Sequence, residues 1–297
     1  MPARFRRERL LIIGCGDVGM RVVKRLGGRM RVFALTSSPE RVGMLRQSDV
    51  TPLLGDLDDA GTLARLAGVA TRILHLAPPP ADGRCDSRTA ALNAALRLRT
   101  APASLVYGST SGVYGDCQGR MVSEVTAVNP HTPRAVRRVD AEGRVRHLGR
   151  ATGIRTSILR IPGIYASDRE GGTPEVRLRK GTPVLQAVDD VFTNHIHADD
   201  LARACLRAMW LGKPQRVYNV NDDTHLKMGD YFDLAADIYG LPHPPRVARS
   251  LAQDQLPLML LSFMSESRRM DNARLKSELK LRLNYPTVAQ GLGAKLR

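Results

Sequence analysis

The stretch at residues 10–19, LLIIGCGDVG, constrains the fold of this 297-residue chain more than any other. Its first four residues are apolar and read as a buried strand. They run directly into Gly14-x-Gly16-x-x-Gly19, after which apolar residues recur at Val18, Val22, Val23 and Leu26 with helical spacing. Strand, glycine turn and helix, in that order, form the context in which this pattern holds a dinucleotide. Gly14 permits the tight turn, Gly16 lets the backbone approach a pyrophosphate, and Gly19 lets helix and strand pack closely. The helix N-terminus offers free N–H groups to the phosphates. Candidate cofactor contacts are therefore Gly14, Cys15, Gly16, Asp17, Val18 and Gly19.

The alternation continues. Further strands are expected over 31–36, 50–54, 73–77 and 104–108, separated by helices over 39–47, 58–66 and 87–99. Ser38 would cap the first of these helices, with Pro39 at its first position. This rhythm predicts an α/β protein with a doubly wound parallel sheet covered by helices on both faces.

The end of the second strand bears on the cofactor. A carboxylate there would bond the ribose 2′-hydroxyl of NAD(H), but this chain has Thr36-Ser37-Ser38 with Arg41 following. Hydroxyls and a guanidinium suit a 2′-phosphate, so Ser37 and Arg41 point to NADP(H) in preference to NAD(H). The two serines fit a helix-capping role as well. After the third strand, the Asp56 carboxylate would accept from an adenine amino group and the Leu57 N–H would donate to a ring nitrogen; a helix cap is an equal role for Asp56. Leu76 and Ala77 would let the backbone pass beside the cofactor. His75 reads as a packed strand residue.

Other motifs lie further along: Ser109-Thr110-Ser111-Gly112-Val113-Tyr114-Gly115, Leu159-Arg160-Ile161-Pro162-Gly163-Ile164-Tyr165, His195-Ile196-His197-Ala198-Asp199-Asp200-Leu201-Ala202 and Val217-Tyr218-Asn219-Val220. With the glycine pattern and Asp56-Leu57, they make the chain from residue 10 to about 222 resemble the extended short-chain dehydrogenase/reductases, the NAD-dependent epimerase/dehydratase family. The resemblance implies a Rossmann-type nucleotide-binding domain over 8–165 and 192–222. A smaller substrate lobe would comprise 166–191 and 223–297. It also implies hydride transfer at a carbinol or carbonyl carbon. In that family a Ser or Thr, a Tyr and a Lys form the reaction centre, the Tyr acting as acid/base with its pKa lowered by the Lys. Thr110 matches the hydroxyl position, four residues before Tyr114.

The Tyr-x-x-x-Lys pair has no counterpart: no tyrosine of this chain is followed four residues later by lysine. The matching segment places Arg134 at the Tyr position and Arg138 at the Lys position. A guanidinium does not shuttle protons, because it stays charged. Arg138 would bind the cofactor ribose, and Arg134 would polarise a carbonyl or hold a carboxylate or phosphate. Their i, i+4 spacing puts both on one helix face, suited to an anionic substrate, although Arg137 beside them also fits a solvated face. Tyr114 and Tyr107 are substitute phenols, Tyr114 the better placed. His195 and His197 read as a strand-to-helix junction, with Asp199 capping a helix over 200–211; no third ligand accompanies them, so no metal is expected.

The net charge of +16 raises nucleic-acid binding. The charge is spread along the chain with no basic helix carrying interleaved aromatics, so nucleic acid is not the expected partner and small anions are. Arg169, Arg177 and Arg179 are further candidates for anion contact, or simply solvated. The apolar run at 256–264 (LPLMLLSFM) would pack the second lobe or contribute to a homodimer contact, and is too short to span a membrane. The four cysteines match no metal or redox spacing, and no signal peptide is evident, so a cytoplasmic location is expected. The missing Tyr and Lys leave an alternative: a non-catalytic NADP(H)-binding redox sensor or regulatory protein.

Overall fold

Strand β1 (Arg9–Ile13) is buried on both faces. Its alternate residues feed two separate cores, Leu10 and Ile12 one side, Leu11 and Ile13 the other. This is how a central strand of a covered parallel sheet must be built, with no polar face to turn to water. The computed structural model describes residues 8–255, 261 and 264–293. After β1 come α1 (Asp17–Leu26), β2 (Arg31–Thr36), α2 (Arg41–Gln47) and β3 (Val50–Leu54). The chain then crosses to the far side of β1 with β4 (Arg72–His75), α3 (Ser87–Leu96) and β5 (Ser104–Thr110). A two-residue β6 (Met121–Val122), α4 (Pro133–Thr152) and β7 (Arg155–Ile161) follow. Next are β8 (Gly163–Tyr165), α5 (Glu175–Arg179), β9 (Val184–Leu185), β10 (His195–His197), α6 (Ala198–Leu211), β11 (Arg216–Asn219) and α7 (Met228–Tyr239).

The seven-stranded sheet has the order β11-β7-β5-β4-β1-β2-β3, all parallel, as the strand–helix alternation predicted. Helices α1 and α6 cover the Leu10 face with Val22, Leu201 and Met209; α3 and α4 cover the other with Leu92, Leu96, Val145 and Leu148. The chain leaves β1 toward β2 on one side and returns at β4 on the other. The crevice at the carboxyl ends of β1 and β4 is thus the switch point at which open α/β sheets bind ligands. A third core, holding Tyr165, Leu178, Leu185, Tyr231, Phe232 and Leu292, lies in the segments around α5 and α7 and toward the C-terminus.

Several element boundaries differ from those expected. Helix α2 begins at Arg41, not at 39, and has no side-chain cap; the Arg41 N–H instead closes a turn on the Ser38 carbonyl at 3.2 Å. The helix expected over 58–66 is a 3₁₀ segment at Ala60–Leu66, capped by Asp59, which accepts from Gly61 N. Strand β4 stops at His75, because Leu76 N and Ala77 N both turn onto the Ile13 carbonyl. Strand β5 runs on to Thr110, and α3 ends at Leu96. Helix α6 is capped by His197, whose Nδ1 accepts from Asp199 N at 3.2 Å; Asp199 itself lies inside the first turn. Most of the 256–264 run lies outside the described residues, but Leu261 and the buried Met264 pack in the third core. No helix among the described residues is long and apolar enough to cross a membrane.

Candidate functional site

A cleft of about 310 Å³ opens at the switch point. Gly14, Gly16, Asp17, Val18 and Gly19 line one wall, Leu76, Pro78, Gly108, Ser109 and Thr110 the floor, and Arg134 and Arg138 another side. Ile161, Pro162, Ile164, Arg169 and Leu201 complete it. The strand ends, the glycine turn and one face of α4 thus converge.

The glycine turn has the form a dinucleotide phosphate requires. Gly14 adopts φ +83°, and a Cβ there would lie 2.5 Å from Ala77 N, so only glycine fits against the β4 exit. At Gly16 a Cβ would meet nothing within 4 Å, leaving the backbone open to a ligand in the cleft. Helix α1 starts without a side-chain cap, so its first-turn N–H groups remain available to an anion. Cys15 does not line the cleft. Its thiol is buried against Met20 and pushed up to about 11 by desolvation, while its carbonyl accepts from Arg41 Nη2 at 2.6 Å. Arg41 therefore reaches across from α2 to the glycine turn, with Ser37 exposed beside it at the end of β2.

Asp56 and Leu57 stand at the end of β3, away from the cleft lining. The Asp56 carboxylate accepts from Asp58 N at 3.0 Å and shapes its own turn, and Leu57 packs against the Leu11-side core. Leu76 lines the cleft; Ala77 is buried behind it, beneath Gly14. His75 is fully buried, its Nε2 3.0 Å from Thr89 Oγ1. That hydroxyl donates to Asp86, which assigns the imidazole proton to Nε2. Burial, then the Arg138 charge, push His75 down to about 3.

Helix α4 carries the arginines because Thr132 caps it by accepting from Ala135 N, Pro133 suits its first turn, and Gly153 ends it in the left-handed region. Arg138 is buried. From Nη1 it donates to the Gly108 carbonyl at 2.7 Å and the Tyr107 hydroxyl at 2.9 Å, bridging α4 to β5. Tyr107 is fully buried and pushed up to about 12 by desolvation, so its phenol stays neutral beneath the floor. Arg137 is buried as well, donating to the Gly83 carbonyl at 2.7 Å, whereas Arg134, one turn before Arg138, is exposed. Arg134 stands at the cleft edge with no hydrogen bond or ion pair among the described residues. Desolvation, then the charges of Arg138 and Arg137, lower its pKa.

Thr110 lines the cleft, and its Oγ1 accepts from Gly112 N at 3.3 Å. Tyr114 is turned away: its hydroxyl lies 2.7 Å from Asn219 Oδ1 and 3.0 Å from the Ser123 carbonyl, is buried, and is raised in pKa by desolvation. The structure thus brings together Thr110, Arg134, Arg138 and the glycine turn, and leaves Tyr114 outside. His195 stacks on Tyr231 and His197 on Tyr285; both are pushed down by burial, His195 to about 4. One feature with no motif of its own supports the floor. Glu142, one turn beyond Arg138, receives Arg160 in a buried bidentate pair at 2.9 and 3.1 Å and accepts from Ser109 Oγ at 2.7 Å. The i+4 step from Arg138 was its one signal in the sequence.

Three comparisons bear on this site. The sequence model of the NAD dependent epimerase/dehydratase family matches residues 10–221. The GDP-6-deoxy-D-mannose reductase of Pseudomonas aeruginosa is 26% identical over 258 residues, covering 78% of this chain and 80% of the reductase. Among solved structures, a functionally unknown conserved protein from Silicibacter pomeroyi superposes with a TM-score of 0.80 at 29% identity, covering 97% of each chain. The UDP-glucose 4-epimerase of Thermotoga maritima, solved with UDP-glucose, superposes at 0.78 with 18% identity over 96% of each chain; at that identity the likeness is one of fold.

Proposed function

The chain belongs to the NAD dependent epimerase/dehydratase family, and we propose that it is an NADP(H)-dependent oxidoreductase that transfers a hydride at a carbonyl or carbinol carbon of an anionic small molecule. The observation that carries this reading is Arg134. It is a guanidinium without a protein partner among the described residues, set at the cleft edge beside the buried Arg138 and in the same cleft as Thr110. Desolvation, then the charges of Arg138 and Arg137, lower its pKa, and an anion bound there would relieve that repulsion.

The glycine turn, Arg138 and Arg41 would hold the cofactor, with Ser37 and Arg41 toward a 2′-phosphate. Asp56 and Leu57 would face the adenine. The nicotinamide, when bound, supplies or accepts the hydride. Thr110 would orient the reacting oxygen. Arg134 would polarise it or hold a carboxylate or phosphate of the substrate, stabilising charge on the oxygen as it develops. Both arginines keep their protons, and Asp17, the one carboxylate of the lining, is engaged by Arg21 and Arg169. The site therefore favours reduction of a carbonyl, with water giving the final proton, over a cycle that needs a strong base to begin. Four free cysteines fit a reducing, cytoplasmic compartment. We assign the nucleotide-binding unit to 8–165 with 192–222 and the substrate lobe to 166–191 with 223–297; a homodimer is compatible with the reading.

NADPH oxidation with carbonyl compounds bearing a carboxylate or phosphate, against their neutral analogues, tests it. The anionic compounds should turn over, Arg134→Ala should raise their KM by about tenfold or more, and Thr110→Ala should lower kcat. Equal use of neutral analogues with an unaffected Arg134→Ala would overturn the assignment. NADPH bound tightly but never oxidised would favour the sensor alternative, which the missing Tyr-x-x-x-Lys motivates.

A further inference from the structure

Loop 166–172 of the proposed substrate lobe is fastened to the N-terminus of α1 by a closed set of charges. Arg21 donates to Asp17 at 3.0 Å, Asp168 at 2.5 Å and Asp199 at 2.9 Å. Arg25 lies 3.5 Å from Asp199, and Arg169 Nη1 donates to Asp17 Oδ2 at 2.8 Å. Three carboxylates thus meet three guanidiniums. The loop also closes on itself, Ala166 N bonding the Gly172 carbonyl at 3.1 Å and Gly172 N the Arg169 carbonyl at 2.9 Å. Arg169 is accordingly held in one place, and that place is the lining of the cleft, beside the glycine turn.

Two features of this network are not explained by fastening alone. Asp17 puts a carboxylate in the first turn of α1, where a bound pyrophosphate would be repelled by it. Both of its oxygens are covered by guanidinium donors, one from Arg21 and one from Arg169. Arg169 also spends only Nη1 on Asp17; its Nε and Nη2 make no hydrogen bond among the described residues. A planar fork with free donors next to unpaired helix N–H groups is a phosphate-binding arrangement.

We propose that Arg169 is a cofactor-binding residue supplied by the second lobe. Its guanidinium closes over the pyrophosphate at the α1 N-terminus, exchanging Asp17 for the phosphates and leaving Asp17 to Arg21. The inference rests on the reading of the cleft as a dinucleotide site. Cofactor binding would thereby tie loop 166–172, and the substrate lobe that carries it, to the nucleotide-binding unit.

Fluorescence titration with NADPH of the wild-type chain, R169A and D17N separates this role from a structural one, because both substitutions break the same ion pair. R169A should weaken NADPH binding by about tenfold, whereas D17N, which removes a carboxylate near the phosphates and frees Arg169, should strengthen it. Urea unfolding of both variants should show similar small losses of stability. Equal weakening in the two variants, or R169A within about twofold of wild type, would overturn the proposal. Failure of the wild-type chain to bind NADPH would instead remove the dinucleotide reading beneath it.

Discussion

Arg138 Nη1 lies 2.9 Å from the Tyr107 hydroxyl, so the helix residue at the expected lysine position is bonded to a phenol under the floor of the cleft. The same nitrogen holds the Gly108 carbonyl at 2.7 Å. Arg138→Met would strip these buried groups of their donor and should cost about 1–3 kcal/mol of stability in urea unfolding. Because the Arg138 charge also helps to hold His75 neutral, the imidazole pKa, followed by NMR, should rise in the variant. A variant with unchanged stability and an unmoved His75 would show that the bridge is not formed.

The second prediction concerns cofactor choice. Arg41 spans from α2 to the Cys15 carbonyl, and in the proposed reading it would meet a 2′-phosphate. Arg41→Ala should weaken NADPH binding by about tenfold and change NADH binding by less than about twofold. Equal loss for both cofactors would assign Arg41 to supporting the glycine turn instead.

The Glu142–Arg160 pair is enclosed, with both side chains nearly inaccessible to water. Breaking such a pair from one side leaves a buried charge, so Glu142→Gln should cost about 3–5 kcal/mol. The double variant Glu142→Met/Arg160→Met should recover much of that loss, because both buried charges go and only the part-exposed Arg146, which also pairs with Glu142 at 3.0 Å, is left to turn to solvent. Chemical denaturation of the three proteins checks the sequence of stabilities.

Acid stability follows from buried histidines. His75 and His195 are pushed down to about 3 and about 4 from an ordinary 6.5, so they stay neutral in the folded chain and take up protons once it unfolds. Between pH 6.5 and 4 the unfolded state therefore holds about two more protons at these sites, and stability falls as pH falls. Asp222 opposes this. Desolvation pushes it up to about 7 from 3.8, so the folded state keeps a proton there that the unfolded state has lost. That contribution is full below pH 3.8 and disappears as pH rises through 7. Over these three groups the balance is about one proton, or about 1.4 kcal/mol per pH unit. Asp222→Asn should steepen the slope to about two protons, measured by urea unfolding at stepped pH. A slope unchanged by the substitution would contradict this balance.

Much of the fold was legible in local pattern. The step from Leu10–Ile13 into three spaced glycines gave the central strand, the turn and α1, and the alternation of apolar strands gave the parallel sheet. The misplaced boundaries have local causes. Pro39 opens a turn before α2, and β4 ends early because Leu76 and Ala77 fold onto the Ile13 carbonyl. His197, a residue rarely read as a cap, caps α6 in place of Asp199. Within the site, Arg134 and Arg138 were placed by the family resemblance, which aligns them with its Tyr and Lys positions; their spacing alone fits a solvated helix face equally. The burial of Arg137, the turning of Tyr114 toward Asn219 and the meeting of Asp17 with Arg169 depend on contacts across 54, 105 and 152 positions, which no short pattern encodes.

The most direct test of the central claim is a parallel equilibrium titration of the wild-type chain with NADPH and NADH. One NADPH per chain, bound about tenfold or more tightly than NADH, is the predicted result, because in the proposed site the glycine turn would accept either pyrophosphate while Ser37 and Arg41 would favour the 2′-phosphate. Binding of neither would contradict the cleft's assignment altogether, and tighter binding of NADH would contradict the assignment of Ser37 and Arg41.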